Sequence, residues 1–177
     1  MSHELAATPV ERVKRALADC GLDPNLVREL PADTSTAEAA ARAVDAPLGS
    51  IVKSLVFLVY GATEGIPGAP AERTPLLVLV SGDQRADVHR LRAALGLSKK
   101  RLRIAQPAEV LDSTGFEVGG VPPIGHWATV RTLIDRTLSR FDVVWAAAGS
   151  PNAVFPIAYS RLVTIANGEV IDLVEEF

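Results

Sequence analysis

Residues 49–60, GSIVKSLVFLVY, read as a strand entering a buried sheet, and they carry a cation within that run. A strand presents alternate residues to opposite faces, so Val52, Ser54, Val56 and Leu58 share one side and Ile51, Lys53, Leu55, Phe57 and Val59 the other. Lys53 therefore lies on the more apolar face. A buried ammonium without a partner loses its proton or destabilises the fold. Either its stem carries the charge to solvent, or the ammonium meets an anion at a cleft. The run alone leaves both open.

The surrounding chain alternates helix and strand signals without a regular β-α-β period. TPVERVKRALADCG predicts a helix over about 9–20, with Thr8 as N-cap, Pro9 in the first turn, Glu11 closing a capping box and Gly21 as stop. Val10, Val13, Leu17 and Cys20 form its apolar stripe. STAEAAARAVDA predicts a second helix, with Ser35 and Glu38 spaced as a capping box and Thr36 as a rival cap. GATEGIPGAPAERTP, residues 61–75, is expected to be a mobile loop. LLVLVSG is then a buried strand, and DQRADVHRLRAALG a helix ended by Gly96. LRIA reads as a short strand, QPAEVLDSTG as a short helix and GGVPPIG as a rigid turn. ATVRTLIDRTL, VVWAAAG, NAVFPI and EVIDLV read as further strands. Strands that follow one another directly point to an α+β class with a mixed sheet. No repeat or linker is apparent, so residues 1–177 are expected to form one domain.

The 177 residues can bury a core without disulfides or metals. A formal charge of −3 excludes a global basic field for long nucleic acid, so no DNA partner is expected and any RNA contact must be local. Cys20 is the single cysteine, which rules out an intramolecular disulfide and fits a reducing cytoplasm. Neither a signal-like start nor an 18-residue apolar run occurs, so neither export nor a membrane span is expected.

Few motifs carry chemistry by spacing alone. His3, His89 and His126 have no paired spacing or carboxylate partner in a ligand motif, so neither a metal site nor a cofactor is expected. AAGSPNA lacks the second glycine that a nucleophile elbow needs after Ser150. GGVPPIG is neither a Walker A loop nor a dinucleotide fingerprint. Gly119 and Gly120 nevertheless offer bare backbone N–H groups to a close ligand, with Pro122 and Pro123 fixing the bend, while a plain tight turn explains the string equally. SKKRLR, 98–103, is the densest positive cluster, suited to RNA phosphates or to a solvated helix end.

Taken in order, TAEAAARAVDAPLGSIVKSLVF, LVLVSGDQRADVHRLRAALG, STGFEVGGVPPIGH and AAAGSPNAVFPI resemble the YbaK-type, prolyl-tRNA-editing-like aminoacyl-tRNA deacylases, over about residues 36–174. The resemblance implies a mixed, barrel-like sheet surrounded by helices, and hydrolysis of mischarged tRNA in trans. It places Lys53 facing the substrate pocket as the catalytic position. Gly119, Gly120 and Pro123 match a Gly-x-x-x-Pro pocket element, and Gly149, Ser150 and Pro151 map onto the opposite wall. GSPN departs there from the Gly-Gly-basic pattern of many members. The implied partners are the acceptor end of aminoacyl-tRNA and an aminoacyl-tRNA synthetase. A non-catalytic module binding an aminoacyl-adenosine, a tRNA end or a synthetase is the rival reading, and a hydrolase of a small ester unrelated to tRNA is a third.

Overall fold

The computed structural model describes residues 6–61 and 72–175. In chain order its elements are α1 (Pro9–Asp19), β1 (Arg28–Glu29), α2 (Ala37–Val44), β2 (Val52–Tyr60), β3 (Arg73–Ser81), α3 (Val88–Leu95), β4 (Leu102–Ile104), α4 (Pro107–Thr114), β5 (Arg131–Asp135), β6 (Val143–Ala147), β7 (Ala153–Ala158), α5 (Tyr159–Ile165) and β8 (Glu169–Ile171). The class is α+β, as expected. Five strands pair in the order β4-β2-β3-β5-β8 and three in the order β1-β7-β6, with a parallel bridge between Ile51 and Trp145 linking the sheets. The larger sheet is mixed: β2 and β3 run antiparallel, whereas β3-β5 and β5-β8 are parallel. The barrel-like sheet thus takes the form of two sheets joined at one corner, and among the described residues no pairing closes the ring.

The alternation read in β2 survives folding. Val52, Val56 and Leu58 enter the core between the sheets, while Phe57, with Leu55 and Val59 against it, packs on the opposite face with Val78, Val80 and Leu91. Two prolines within strands sit where a neighbour is missing, so their absent N–H breaks no ladder. Pro75 precedes the pairing of β3 with β5, and Pro156 lies beyond the end of β1.

Helix starts follow local capping chemistry. Thr8 and Glu11 form the capping box of α1. At α2 the cap is Thr36, whose hydroxyl accepts from Ala39 N at 3.1 Å, and not Ser35. α3 begins at Val88, because the Asp87 carboxylate accepts from the amides of His89 and Arg90 and fixes the N-terminus there, so residues 83–86 are not helical. β3 begins earlier than its apolar run, at Arg73, and most of the expected 61–75 loop lies outside the described residues. The predicted strand over 128–138 is strand only at Arg131–Asp135. The Asp135 side chain then accepts from Thr137 N and turns the chain into a 3-10 segment. Neither β1 nor α5 is signalled by periodicity, and both are too short to show one.

Candidate active site

β2 pairs with β3 over its full length, but its other edge is covered only in part. β6 meets it at Ile51, β4 covers Phe57–Val59, and Ala105 N reaches Val56 O. Residues 53–55 lie between, and there the surface opens into a cleft of about 250 Å³. Lys53, Ser54 and Leu55 form one side, with Ile51 and Val52 at its inner end. The chain entering α2 (Thr34, Ser35, Thr36, Ala37 and Ala40) forms a second side, and Val118, Gly119 and Pro151 a third. Trp145, Ala147 and Val154 complete the wall from the smaller sheet.

Lys53 is half-buried. It lines the cleft, and its Nζ donates to the carbonyl of Gln84 in the β3–α3 connection. Burial holds its pKa below the usual lysine value; the charges of Glu38 and Asp83 pull it partly back, and the Arg85 charge opposes them. The β3–α3 connection is itself braced. Arg140 grips Asp83 through bonds of 2.7 and 3.1 Å and donates to Ser81 Oγ at 3.1 Å, and Ser81 donates to Gly49 O at 2.7 Å. The bond from Arg140 keeps the Asp83 carboxyl below its ordinary pKa. Gly82 is obligatory there, because a Cβ would lie 2.3 Å from Leu48 O. Lys53 thus has a fixed carbonyl partner beside the cleft.

The remaining sequence-chosen positions divide into two groups. Gly119 and Pro151 line the cleft. Gly120, Pro123, Gly149 and Ser150 do not: Gly120, Gly149 and Ser150 join the two loops behind it, and Pro123 is buried. Gly149 N donates to Gly120 O at 3.0 Å, and a Cβ on Gly120 would lie 2.7 Å from Ser150 Cα. The Gly120 amide is spent on Glu117 O at 3.0 Å, so it is not a bare donor to a ligand. Ser150 donates to Asn152 Oδ1 at 2.7 Å, and Asn152 in turn donates from Nδ2 to Leu30 O at 2.9 Å. The GSPN segment is thereby stitched to the chain ahead of α2. His126 lies away from the cleft, with Nε2 2.7 Å from Pro122 O; since a carbonyl only accepts, that nitrogen carries the proton.

Three contributors escape sequence reading. Ser54 Oγ is buried, without a hydrogen-bond partner among the described residues, in a residue that lines the cleft. Trp145 and the Thr34–Ala37 segment reach the site only through the junction between sheets. The start of α2 directs the positive end of a helix dipole at the rim, and its Thr36 cap is the one available signal. Among the described residues, the cleft lining contains no His, Cys, Asp or Glu, and no group of three or more such residues is placed to hold a metal ion. No described helix is long and apolar enough to cross a membrane.

Several known proteins resemble this chain in sequence and in fold. The chain is 31% identical over 138 residues to the uncharacterised protein YwhH of Bacillus subtilis (strain 168), covering 78% of this chain and 79% of that one. It is 34% identical over 122 residues to a proline–tRNA ligase of Azoarcus sp. (strain BH72), covering 69% of this chain but 20% of the ligase. It is 29% identical over 126 residues to the multifunctional Ser/Thr-tRNA deacylase ProXp-y of Escherichia coli (strain K12), covering 71% of this chain and 70% of that one. Among solved structures, a proposed trans-editing enzyme for prolyl tRNA synthetase superposes with a TM-score of 0.81 at 38% identity, covering 96% of this chain and 99% of that one. The aminoacyl-tRNA editing domain family matches residues 31–165, and the chain belongs to that family.

Proposed function

We propose that this protein is a trans-acting aminoacyl-tRNA deacylase that hydrolyses the ester between a mischarged amino acid and the terminal adenosine, with Lys53 positioning the substrate. The observation that carries the reading is a half-buried lysine on the open edge of β2, facing a cleft bounded by Gly119 and Pro151. Water adds to the ester carbonyl, the carbonyl oxygen takes up negative charge, and collapse breaks the acyl–oxygen bond. The free amino acid leaves as a carboxylate, the ribose oxygen recovers one proton of the water, and the other passes to solvent. Lys53 supplies a compact positive charge with three donors, one of them already directed at Gln84 O, for the carbonyl oxygen or the terminal phosphate. Gly119 and Pro151 shape the wall against the acyl group, while Gly120, Gly149 and Ser150 hold those two residues at their separation and the buried Pro123 fixes the bend of its turn. Among the described residues the lining holds no His, Cys, Asp or Glu to act as base, and, as the family resemblance suggests, the neighbouring ribose 2′-OH orients the water, so the substrate assists its own cleavage.

The test is deacylation of a panel of mischarged tRNAs, with and without candidate synthetases. Lys53→Ala is expected to lower the rate at least tenfold, or about 1.4 kcal/mol of barrier. Equal rates for wild type and variant on every substrate would remove Lys53 from the mechanism. A lining without His, Cys, Asp or Glu among the described residues favours one second reading, a non-catalytic module that binds an aminoacyl-adenosine. Tight binding of a non-hydrolysable analogue with no turnover across the panel would establish that reading instead.

A further inference from the structure

A second depression begins where the cleft ends. Leu55 lines both, and a smaller hollow bounded by Ser54, Val118 and Ile104 connects them along the uncovered edge of β2. This groove encloses about 390 Å³ and has an apolar floor that includes Phe57, Val88 and Leu102. Its rim carries three arginines, Arg85, Arg92 and Arg103, on a chain whose formal charge is −3. Arg103 is committed elsewhere, since Glu109 accepts from it at 2.7 and 2.8 Å. Arg92 is different: its Nε is buried and has no hydrogen-bond partner among the described residues. Arg85 is exposed, and its charge is felt by Lys53.

A buried guanidinium donor left unpaired costs free energy unless an acceptor arrives to meet it. Guanidinium groups along an apolar groove match a single nucleic-acid strand, whose phosphates take the charge while its bases lie on apolar surface. Ile104, 54% exposed at the junction, provides such a surface. We infer that the groove lined by Arg85 and Arg92 binds the single-stranded nucleotides that precede the terminal adenosine, Arg92 and Arg85 pairing with their phosphates. The inference rests on the deacylase reading for the direction of the strand, with its esterified end at Lys53. Continuity through Leu55 and the concentration of positive charge at the far end of the cleft select this occupant.

The direct experiment is fluorescence-anisotropy titration of an uncharged, labelled single-stranded RNA ending in the tRNA 3′ sequence CCA, with wild type, Arg85→Gln, Arg92→Gln and Arg92→Lys. Wild type is expected to bind with an affinity that falls as salt rises, each Gln variant to bind at least fivefold more weakly with a shallower salt slope, and Arg92→Lys to recover part of the loss. Thermal unfolding of each variant separates lost contacts from lost fold, and the exposed Arg85 supplies a variant that leaves the core untouched. Unchanged binding in Arg85→Gln and in a folded Arg92→Gln would overturn the inference, as would equal affinity for a polyglutamate peptide of matching charge. A kinetic arm distinguishes the two readings. Arg85→Gln is expected to raise KM for aminoacyl-tRNA at least fivefold while leaving hydrolysis of a minimal aminoacyl-adenosine within twofold. Loss of turnover on both substrates in wild type, with arginine-dependent RNA binding intact, would sink the deacylase reading and leave the groove standing.

Discussion

Lys53 occupies a position that a strand buried on both faces would refuse. It is tolerated because β4 and β6 leave the edge of β2 open beside it and because Gln84 O is held within reach. The same half-burial sets its titration. Burial disfavours the ammonium, and Glu38 and Asp83 act against that effect. Followed by NMR through its Cε resonance, Lys53 is expected to titrate below the ordinary lysine value of about 10.4. Glu38→Gln removes one of the charges favouring the ammonium, so the midpoint is expected to fall further. A midpoint at or above the ordinary value in wild type would mean a fully solvated lysine without a place in the cleft.

At the scale of elements, the site is a gap between strands closed by two loops. Gly120 lets those loops touch: a side chain there would meet Ser150 backbone atoms at 2.7–2.8 Å, and backbone cannot swing aside as a flexible side chain can. Gly120→Ala is therefore expected to cost about 1–3 kcal/mol in urea unfolding, the range for overpacking a close contact. An unchanged midpoint would show that the loops separate freely. The residue types of the GGVPP string are enough to predict a tight turn, and Gly119 does take φ = 88°. Which of its glycines faces the cleft is not legible in the string, because both occur in the same dipeptide. Contact with Ser150, far along the chain, separates their roles.

For the whole molecule, partial burial of His126, bonded to Pro122 O, couples folding to pH. Burial lowers its pKa in the native state, and the bond to Pro122 O only partly offsets this. The unfolded chain therefore binds the extra proton more readily than the native one. The contribution is neutral above the unfolded value of about 6.5 and becomes a loss of stability as pH falls through it toward the native pKa. Urea unfolding between pH 7 and 5 is expected to show a steeper decline for wild type than for His126→Gln. Equal slopes would place the imidazole in solvent.

The division between what is legible in the chain and what is not follows from the range of the interactions involved. Caps at Thr8, strand alternation through 52–60, left-handed stops at Gly96 and Gly115, and the family's ordered strings all depend on residues within a turn or two of one another. Local chemistry decides them, so the sequence by itself determined the α+β class, the faces of β2 and the candidacy of Lys53. The cleft depends on where β4 stops pairing, on Trp145 meeting Ile51, and on Gly149 bonding Gly120, contacts between residues far apart in the chain. Only the tertiary structure decided which predicted residues line the site and which buttress it. The Nε of Arg92 in the second groove, unpaired among the described residues, likewise belongs to the packed whole, because burial is a property that no single segment carries.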